Sequence, residues 1–387
     1  MKMMRLTEIA PYSGKRVQPF DGAKRYMSTG DLKGDNLNFE DVTYKTKPSR
    51  ADILVSEGDV LFAKMTNTNK ALIIDKELDG IIVSTGFSVH RPIEKQLFSD
   101  YFLHFLRHDS FQRQKNKLCT GAIQSAISNS GIEKILVPIP QYSEQLHIAK
   151  ILSKAENLIA QRKESIRLLD EFLKSTFLEM FGDPVRNEKG WEICSLSELG
   201  SLDRGVSKAR PRNSPDLLGG IYPLIQTGDV ANSGVYITTY KQTYSEFGLK
   251  QSKLWSKGTM LITIAANIGQ TSILSFDACF PDSVVGLVTD KKKSSVLYVH
   301  FLFKFLQALL ESKASQTAQK NINLEILRNL RVPCPPPELQ TQFAVIVEKT
   351  EALKINYQNS MQELENLYAS LSQKAFRGEL SIKSTTV

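Results

Sequence analysis

The stretch "VPIPQYSEQLHIAKIL" (residues 137–152) returns 195 residues later as "VPCPPPELQTQFAVIV" (residues 332–347). Six of the sixteen positions are identical: Val137/Val332, Pro138/Pro333, Pro140/Pro335, Gln145/Gln340, Ala149/Ala344 and Ile151/Ile346. In both copies the prolines confine helix to their C-terminal side, because proline lacks an N–H and drives its predecessor out of the α region. A repeat of about 20–50 residues would mark a solenoid, whereas a period near 195 in a chain of 387 means that the whole molecule is doubled.

Each copy of the motif opens a long helical pattern. Ile148, Leu152, Ala155, Ile159, Arg162, Ile166, Leu169, Leu173 and Phe177 step by threes and fours, and Phe343, Val347, Thr350, Leu353, Tyr357, Met361, Leu364, Tyr368 and Leu371 do the same. Phe181-Gly182-Asp183-Pro184 stops the first helix, with glycine free to take the left-handed cap and proline blocking continuation. From residue 143 to 181 such a helix is about 58 Å long at ~1.5 Å per residue.

The segments preceding the two helices also correspond. Thr29-Gly30-Asp31 answers Thr227-Gly228-Asp229; "EGDVLFAKMTNTNKALII" (57–74) answers "KGTMLITIAANIGQTSIL" (257–274) at an offset of 200; and "YFLHFLR" (101–107) is matched to "FLFKFLQ" (301–307) at the same offset. Short β-rich runs bounded by Gly, Asn and Asp precede a helical segment in each copy, which reads as an α+β domain with hairpins. The expected organisation is a first domain at 1–140, a long helix at 141–182, a linker and second domain at 183–333, and a second long helix with a tail at 334–387. The two helices are expected to pair antiparallel about a pseudo-twofold axis, forming a ruler between two similar domains.

The net charge of +8 divides unevenly. Residues 1–140 carry twenty Lys and Arg against sixteen Asp and Glu, and residues 191–333 carry sixteen against eleven. Basicity therefore belongs to the two domains, and two like domains on one rigid frame suit a bipartite stretch of DNA. The domains share landmarks and differ in their loops, "KMTNTNK" against "IAANIGQ", so the two half-sites are expected to differ. No run of 18 or more apolar residues and no signal peptide is present, so a cytoplasmic chain with no membrane association is expected. Cys119, Cys194, Cys279 and Cys334 stand singly with no CxxC spacing and are expected to be unlinked thiols outside any metal site.

The order of domain, "VPIP" helix, "MFGDPVRNEKGWEICSLSEL", second domain, "VPCPPPELQ" helix and "SLSQKAFRGEL" resembles the specificity subunits of type I restriction-modification systems. The resemblance spans essentially the whole chain and is most specific at Phe181-Gly182-Asp183-Pro184 with Gly190-Trp191 and at residues 375–380. It implies two target-recognition domains reading a split, asymmetric double-stranded DNA sequence. It further implies helices that hold two methyltransferase subunits and, in a larger complex, restriction subunits. S-adenosylmethionine, ATP and Mg²⁺ would belong to those partners, with no cofactor in this chain.

The residues themselves offer little catalytic chemistry. There is no GxxxxGK[ST], no glycine-rich S-adenosylmethionine loop and no Asn-Pro-Pro-aromatic tetrapeptide. "CPPPE" (334–338) stiffens a helix start. Pro281-Asp282 followed by Asp290-Lys291-Lys292 matches a loose metal-nuclease pattern and supports the alternative of a self-contained Mg²⁺-dependent endonuclease. A coiled-coil scaffold without a DNA role is the other alternative. His104 and His108 are four apart but lack the Glu of HExxH, which reads as helix packing.

Base edges are read by Arg, Lys, Asn and Gln presented from loops, and phosphates are held mainly by Lys and Arg. Four clusters fit: Lys15 and Arg16 with Lys24 and Arg25; Lys64, Asn67, Asn69 and Lys70; the counterpart loop with Asn267 and Gln270; and Arg204, Lys208, Arg210 and Arg212 in "RGVSKARPR". Asn67 and Asn267 coincide at the offset of 200 and also suit hairpin turns with positive φ. Thr29-Gly30-Asp31 and its counterpart read as turn structure.

The ruler reading has a direct test. Inserting one heptad near Arg162 and another near Tyr357 keeps the apolar seam and adds about 10 Å, equivalent to roughly three base pairs at ~3.4 Å each. The expected outcome is a half-site spacing lengthened by that amount when modified sites are mapped. A folded double-insertion variant that modifies the original sites with undiminished efficiency is incompatible with a ruler.

Overall fold

A computed structural model describes residues 1–34, 36–121, 125–265, 267–315 and 322–380. The repeated motif begins as a strand in both copies. Leu136–Ile139 runs antiparallel to Lys2–Arg5 with Met4 opposite Val137, and Arg331–Pro333 runs antiparallel to Ile193–Ser195 with Cys194 opposite Val332. The first strand of each domain is thus closed by its last. Each first strand turns into a helical turn through one device, in which the Arg5 N–H donates to Glu8 at 3.2 Å and the Ser195 N–H donates to Glu198 at 2.7 Å.

Five longer helices carry the rest: α1 (Ser99–Arg107), α2 (Asp109–Leu118), α3 (Tyr142–Phe181), α4 (Val296–Ser315) and α5 (Pro337–Arg377). The long helices α3 and α5 begin 195 residues apart, as the repeated motif requires. Gly182 and Gly378 end them at φ 75° and 78°. At the end of α3 the Trp191 indole donates to the Phe181 carbonyl at 2.8 Å, which explains a Gly-Trp pair just beyond the helix stop.

The identical glutamines in the motif play the same part twice. Gln145 is fully buried; its Oε1 accepts from the Phe98 N–H at 2.9 Å, and its Nε2 donates to the carbonyls of Gln96 at 2.9 Å and Pro140 at 3.2 Å. Gln340, also fully buried, accepts from the Ser295 N–H at 3.0 Å and donates to Lys293 at 3.4 Å and Pro335 at 2.8 Å. Beside each glutamine a buried tyrosine hydroxyl caps a proline carbonyl, Tyr101 to Pro138 at 2.7 Å and Tyr298 to Pro333 at 2.8 Å. These bonds join the start of a domain helix, α1 or α4, to the start of a long helix, α3 or α5.

They also correct one alignment. Tyr101 and Tyr298 occupy equivalent places, so the helix landmark lies at an offset of 197; the Phe- and Leu-rich run at 301–307 mimics 101–107 three residues out of register. The strand landmark does hold at 200. Gly58 and Gly258, at φ 86° and 87°, both donate at 2.8 Å, to the carbonyls of Ile74 and Leu274, and Ala63 and Thr263 bond Lys70 and Gln270 at 2.9 and 3.0 Å.

The chain forms two compact units: Met1–Lys163 with the chain from Asn359 on, and Glu164–Gln358. Each contains one α+β domain, the first half of the long helix leaving it and the second half of the other long helix. In the first unit a five-stranded sheet has the order Lys15–Arg16, Ala51–Leu54, Ile82–Ser84, Lys24–Met27, Glu40–Val42, beside a three-stranded sheet centred on Val60–Ala63. In the second unit Met260–Thr263 lies at the centre of the sheet Gly200–Arg204, Val284–Thr289, Met260–Thr263, Thr271–Leu274, Tyr236–Ile237.

The antiparallel helix pairing is visible inside each unit. Ile148, Leu152 and Ala155 share a core with Ala375 and Phe376, and Leu173, Phe177 and Phe181 share one with Phe343 and Val347. The expected seam fails at Leu353, which is 39% exposed. Lys354 turns inward instead and meets Asp170 at 2.6 Å, an ion pair that resists register slips as an apolar contact would not. A second asymmetry follows from the repeat. Tyr368 donates to Glu156 at 2.7 Å, but 195 residues earlier Leu173 has no hydroxyl to offer Glu351. Glu351 Oε1 is buried with Lys354 Nζ 3.7 Å away and no hydrogen-bond donor closer, and burial pushes its carboxyl above the usual range against the pull of that lysine.

Cys194 and Cys334 were expected to be separate thiols; strand pairing instead brings them together as a disulfide. The spacing of 140 residues hid this, because antiparallel pairing of a domain's two ends makes sequence distance irrelevant.

Replacing Gln145 by Leu leaves a buried N–H and two carbonyls without partners, so the urea midpoint of Gln145→Leu should fall by the equivalent of about 2–4 kcal/mol. Gln340→Leu should behave alike, while Gln362→Leu on an exposed face should change stability by less than about 0.5 kcal/mol.

Candidate nucleic-acid interface

Basic side chains collect where the sheets end in loops. Lys15 and Arg16 form an edge strand, with Arg16 3.1 Å from Asp52. Lys24 lies over the Phe20 ring at 5.7 Å; the Arg25 guanidinium lies over Phe39 at 4.9 Å and donates to the Glu77 carbonyl. These rings hold long cationic side chains in defined positions while leaving the charge near the surface.

The loop 64–70 joins strands Val60–Ala63 and Ala71–Ile73. Lys64 is half-buried, and desolvation lowers its pKa. Asn67 sits exposed at the tip with φ 54°, the left-handed turn conformation that asparagine tolerates. Asn69 donates to the Arg107 carbonyl at 3.0 Å, and Lys70 donates to the Thr29 carbonyl at 2.6 Å. The last bond ties this loop to the Thr29-Gly30-Asp31 turn, where Asp31 accepts from the Ser28 N–H at 2.9 Å; Asp229 accepts from Gln226 at the same distance in the second copy.

The counterpart loop of the second domain places Asn267 at φ 42°. It braces itself: Thr263 Oγ1 accepts from the Gln270 N–H at 3.1 Å and donates to the Asn267 carbonyl at 2.5 Å. Arg204 ends a strand, and Lys208, Arg210 and Arg212 lie on the segment after it. Arg210 donates to the Ser207 and Ala209 carbonyls at 2.6 and 2.8 Å. Arg212 reaches both carboxylate oxygens of Asp282, at 2.6 and 2.9 Å, with Arg210 3.6 Å from the same group.

That clamp bears on the nuclease alternative. Asp282, the acid the pattern needs for a metal, pairs with two guanidiniums, and Asp290 accepts from the Lys292 N–H at 3.0 Å in an exposed lysine turn. Among the described residues no group of three or more His, Cys, Asp or Glu could hold a metal ion. His104 packs between helices, 2.9 Å from Ser153 Oγ and 3.6 Å from Glu156, with burial lowering its pKa. No helix among the described residues is long and apolar enough to cross a membrane.

Two residues that the sequence reading missed, Lys115 and Asn116 on α2, brace the loop 64–70 from beneath. Nothing in a lysine-rich amphipathic helix signals that one lysine points inward, since the partner loop lies 47 residues or more away in sequence.

The sequence profile of the type I restriction modification DNA specificity domain matches residues 1–168 and 188–366. The type I restriction enzyme MjaVIII specificity subunit of Methanocaldococcus jannaschii is 21% identical over 400 residues, an alignment covering 95% of this chain and 88% of that one. The EcoKI specificity subunit of Escherichia coli is 24% identical over 325 residues, covering 76% and 68%. The crystal structure of a type I restriction-modification S subunit from M. genitalium shares the fold with a TM-score of 0.61 at 13% identity, covering 97% of this chain and 96% of its own. With both halves matched and the doubled architecture in place, this chain belongs to the family of type I restriction-modification DNA specificity proteins.

Proposed function

We propose that this chain is the non-catalytic specificity subunit of a type I restriction-modification system. Its two domains read the unequal halves of a split double-stranded DNA target, and the chain seats two methyltransferase subunits on that target, with restriction subunits joining in a larger complex. S-adenosylmethionine, ATP and Mg²⁺ act in those partners, and the cytoplasm is where they and the DNA meet. The observation that carries this reading is the doubling itself: two domains built on the same buried Gln and Tyr bonds, each with surplus positive charge, bear different loops on a shared frame. A shared frame with divergent loops suits reading two different sequences in related geometry.

The deciding experiment is to co-express the chain with its methyltransferase partner and map modified adenines genome-wide, where a two-part asymmetric motif is expected. Cleavage of DNA by the purified chain with Mg²⁺ alone would restore the nuclease alternative, and DNA affinity indifferent to salt would favour a scaffold. Grafting the matching domain of a relative onto residues 1–140 should change one half-site and leave the other intact, since each domain carries its own core. A folded graft that alters both would show joint reading. Replacing Arg204 and Lys208 together by Gln should make the log-log salt slope of DNA binding shallower by about 0.9 for each phosphate that these two side chains neutralise.

A further inference from the structure

Cys194 and Cys334 sit where the second domain begins and ends. The strands at these two ends, Ile193–Ser195 and Arg331–Pro333, are three residues each. Two backbone bonds extend their pairing, from the Leu196 N–H to the Leu330 carbonyl at 2.9 Å and from the Cys334 N–H to the Glu192 carbonyl at 2.8 Å. Antiparallel pairing brings the two cysteine Cα atoms to 6.2 Å, inside the span that a disulfide bridges, although 140 residues separate them in sequence. Both side chains are half-buried, so a small solute reaches them without unfolding the domain.

The first domain closes with the same strand pair and without the thiols. Met4 lies opposite Val137 as Cys194 lies opposite Val332, and Ile139 stands 195 residues before Cys334. The other two cysteines, Cys119 and Cys279, are free and belong to different domains. Burial pushes both of their thiols up, away from the reactive thiolate. An oxidised sulfur at 194 or 334 has a second thiol within reach to resolve it, and one at 119 or 279 has none.

A reducing cytosol removes accessible disulfides, so two cysteines within bonding distance there are thiols at rest and join when the redox poise shifts. We infer that Cys194 and Cys334 form a reversible redox clasp on the second domain, open as two thiols and closed as a disulfide by a hydroperoxide. In closing, one thiolate attacks a peroxide oxygen and breaks the O–O bond, giving a sulfenic acid and a hydroxide that takes up the first thiol proton as water. The second thiolate attacks that sulfur, forms the S–S bond and expels hydroxide, which takes up the second thiol proton. Each sulfur loses one electron, and the peroxide gains two. A dithiol reopens the clasp by exchange and ends as a disulfide itself.

Closing holds the first strand of the domain against its last and fixes the residue that leads into Pro335 and α5. The closed loop contains the whole second domain, so the bond takes freedom from that unfolded segment and leaves the first domain untouched. Short end strands that open locally as thiols cannot separate once linked. The clasp takes from the function proposed above only the reducing compartment, and its test needs no DNA.

That test uses the purified full chain, reduced with dithiothreitol and then treated with hydrogen peroxide. Peptide mapping should show a cross-link between 194 and 334 that reduced glutathione at its cytosolic poise removes. On oxidation, hydrogen exchange read by mass spectrometry should slow about tenfold in peptides over 193–195 and 331–334 and stay unchanged over 2–5 and 136–139. The urea midpoint reported by Trp191 and Trp255, both in the second compact unit, should rise by about 1 M. Cys194→Ser and Cys334→Ser should each exchange like the reduced wild type with or without peroxide. The reduced and oxidised wild-type chains carry the comparison even where a variant misfolds. Two thiols still free after peroxide overturn the pair, a cross-link that glutathione cannot remove overturns its reversibility, and a cross-link that leaves exchange unchanged overturns the clasp.

Discussion

Everything in this molecule hangs on a buried glutamine used twice. A helix that starts straight after prolines has orphan N–H groups and carbonyls near its entrance, and so does the domain helix packed against it. Gln145 and Gln340 satisfy both at once, each accepting from and donating to the segment that opens the domain helix and donating also to a proline carbonyl at its own helix entrance, while Tyr101 and Tyr298 each take a second proline carbonyl there. Because an amide side chain has a donor end and an acceptor end at fixed separation, it specifies the geometry of this junction in a way an apolar contact cannot. The angle at which each long helix leaves its domain is thereby set by hydrogen bonds rather than by packing alone.

The two copies then diverge where the shared junction permits. At the closing strands the second copy places Cys194 and Cys334 in a disulfide, while the first places Met4 and Ile139, which pack on the core. On the long helices Glu156 receives a tyrosine hydroxyl and Glu351 does not. In the loops after the central strand, the first copy recruits Lys115 and Asn116 from a helix, and the second uses Thr263 within the loop itself. Each substitution is local and leaves the glutamine junction untouched, which is how one frame comes to carry two surfaces of different chemistry.

The candidate interface was only partly legible. Residue types and loop positions were visible, and Asn67 and Asn267 do share the left-handed turn that their coincidence at an offset of 200 suggested. What each side chain has left to offer was not visible. Asn69, Lys70, Arg210 and Arg212 all use hydrogen-bonding capacity inside the protein. Asp282 looked like half of a metal site because sequence shows an acid near lysines, whereas space places two arginines on it.

The sequence by itself determined the doubling, the α+β character of each half, the helix starts at the prolines and the stop at Gly182. These follow from local constraints, proline's missing N–H, glycine's access to positive φ and the periodicity of apolar residues, which act within a few residues and are written in order along the chain. Tertiary structure alone decided the offset of 197 between the domain helices, the turning of Lys354 rather than Leu353 into the seam, the Cys194–Cys334 link and the bond from Asn116 to Asn67. Each depends on a partner tens to more than a hundred residues away, so no local pattern encodes it, and only the folded chain brings donor to acceptor.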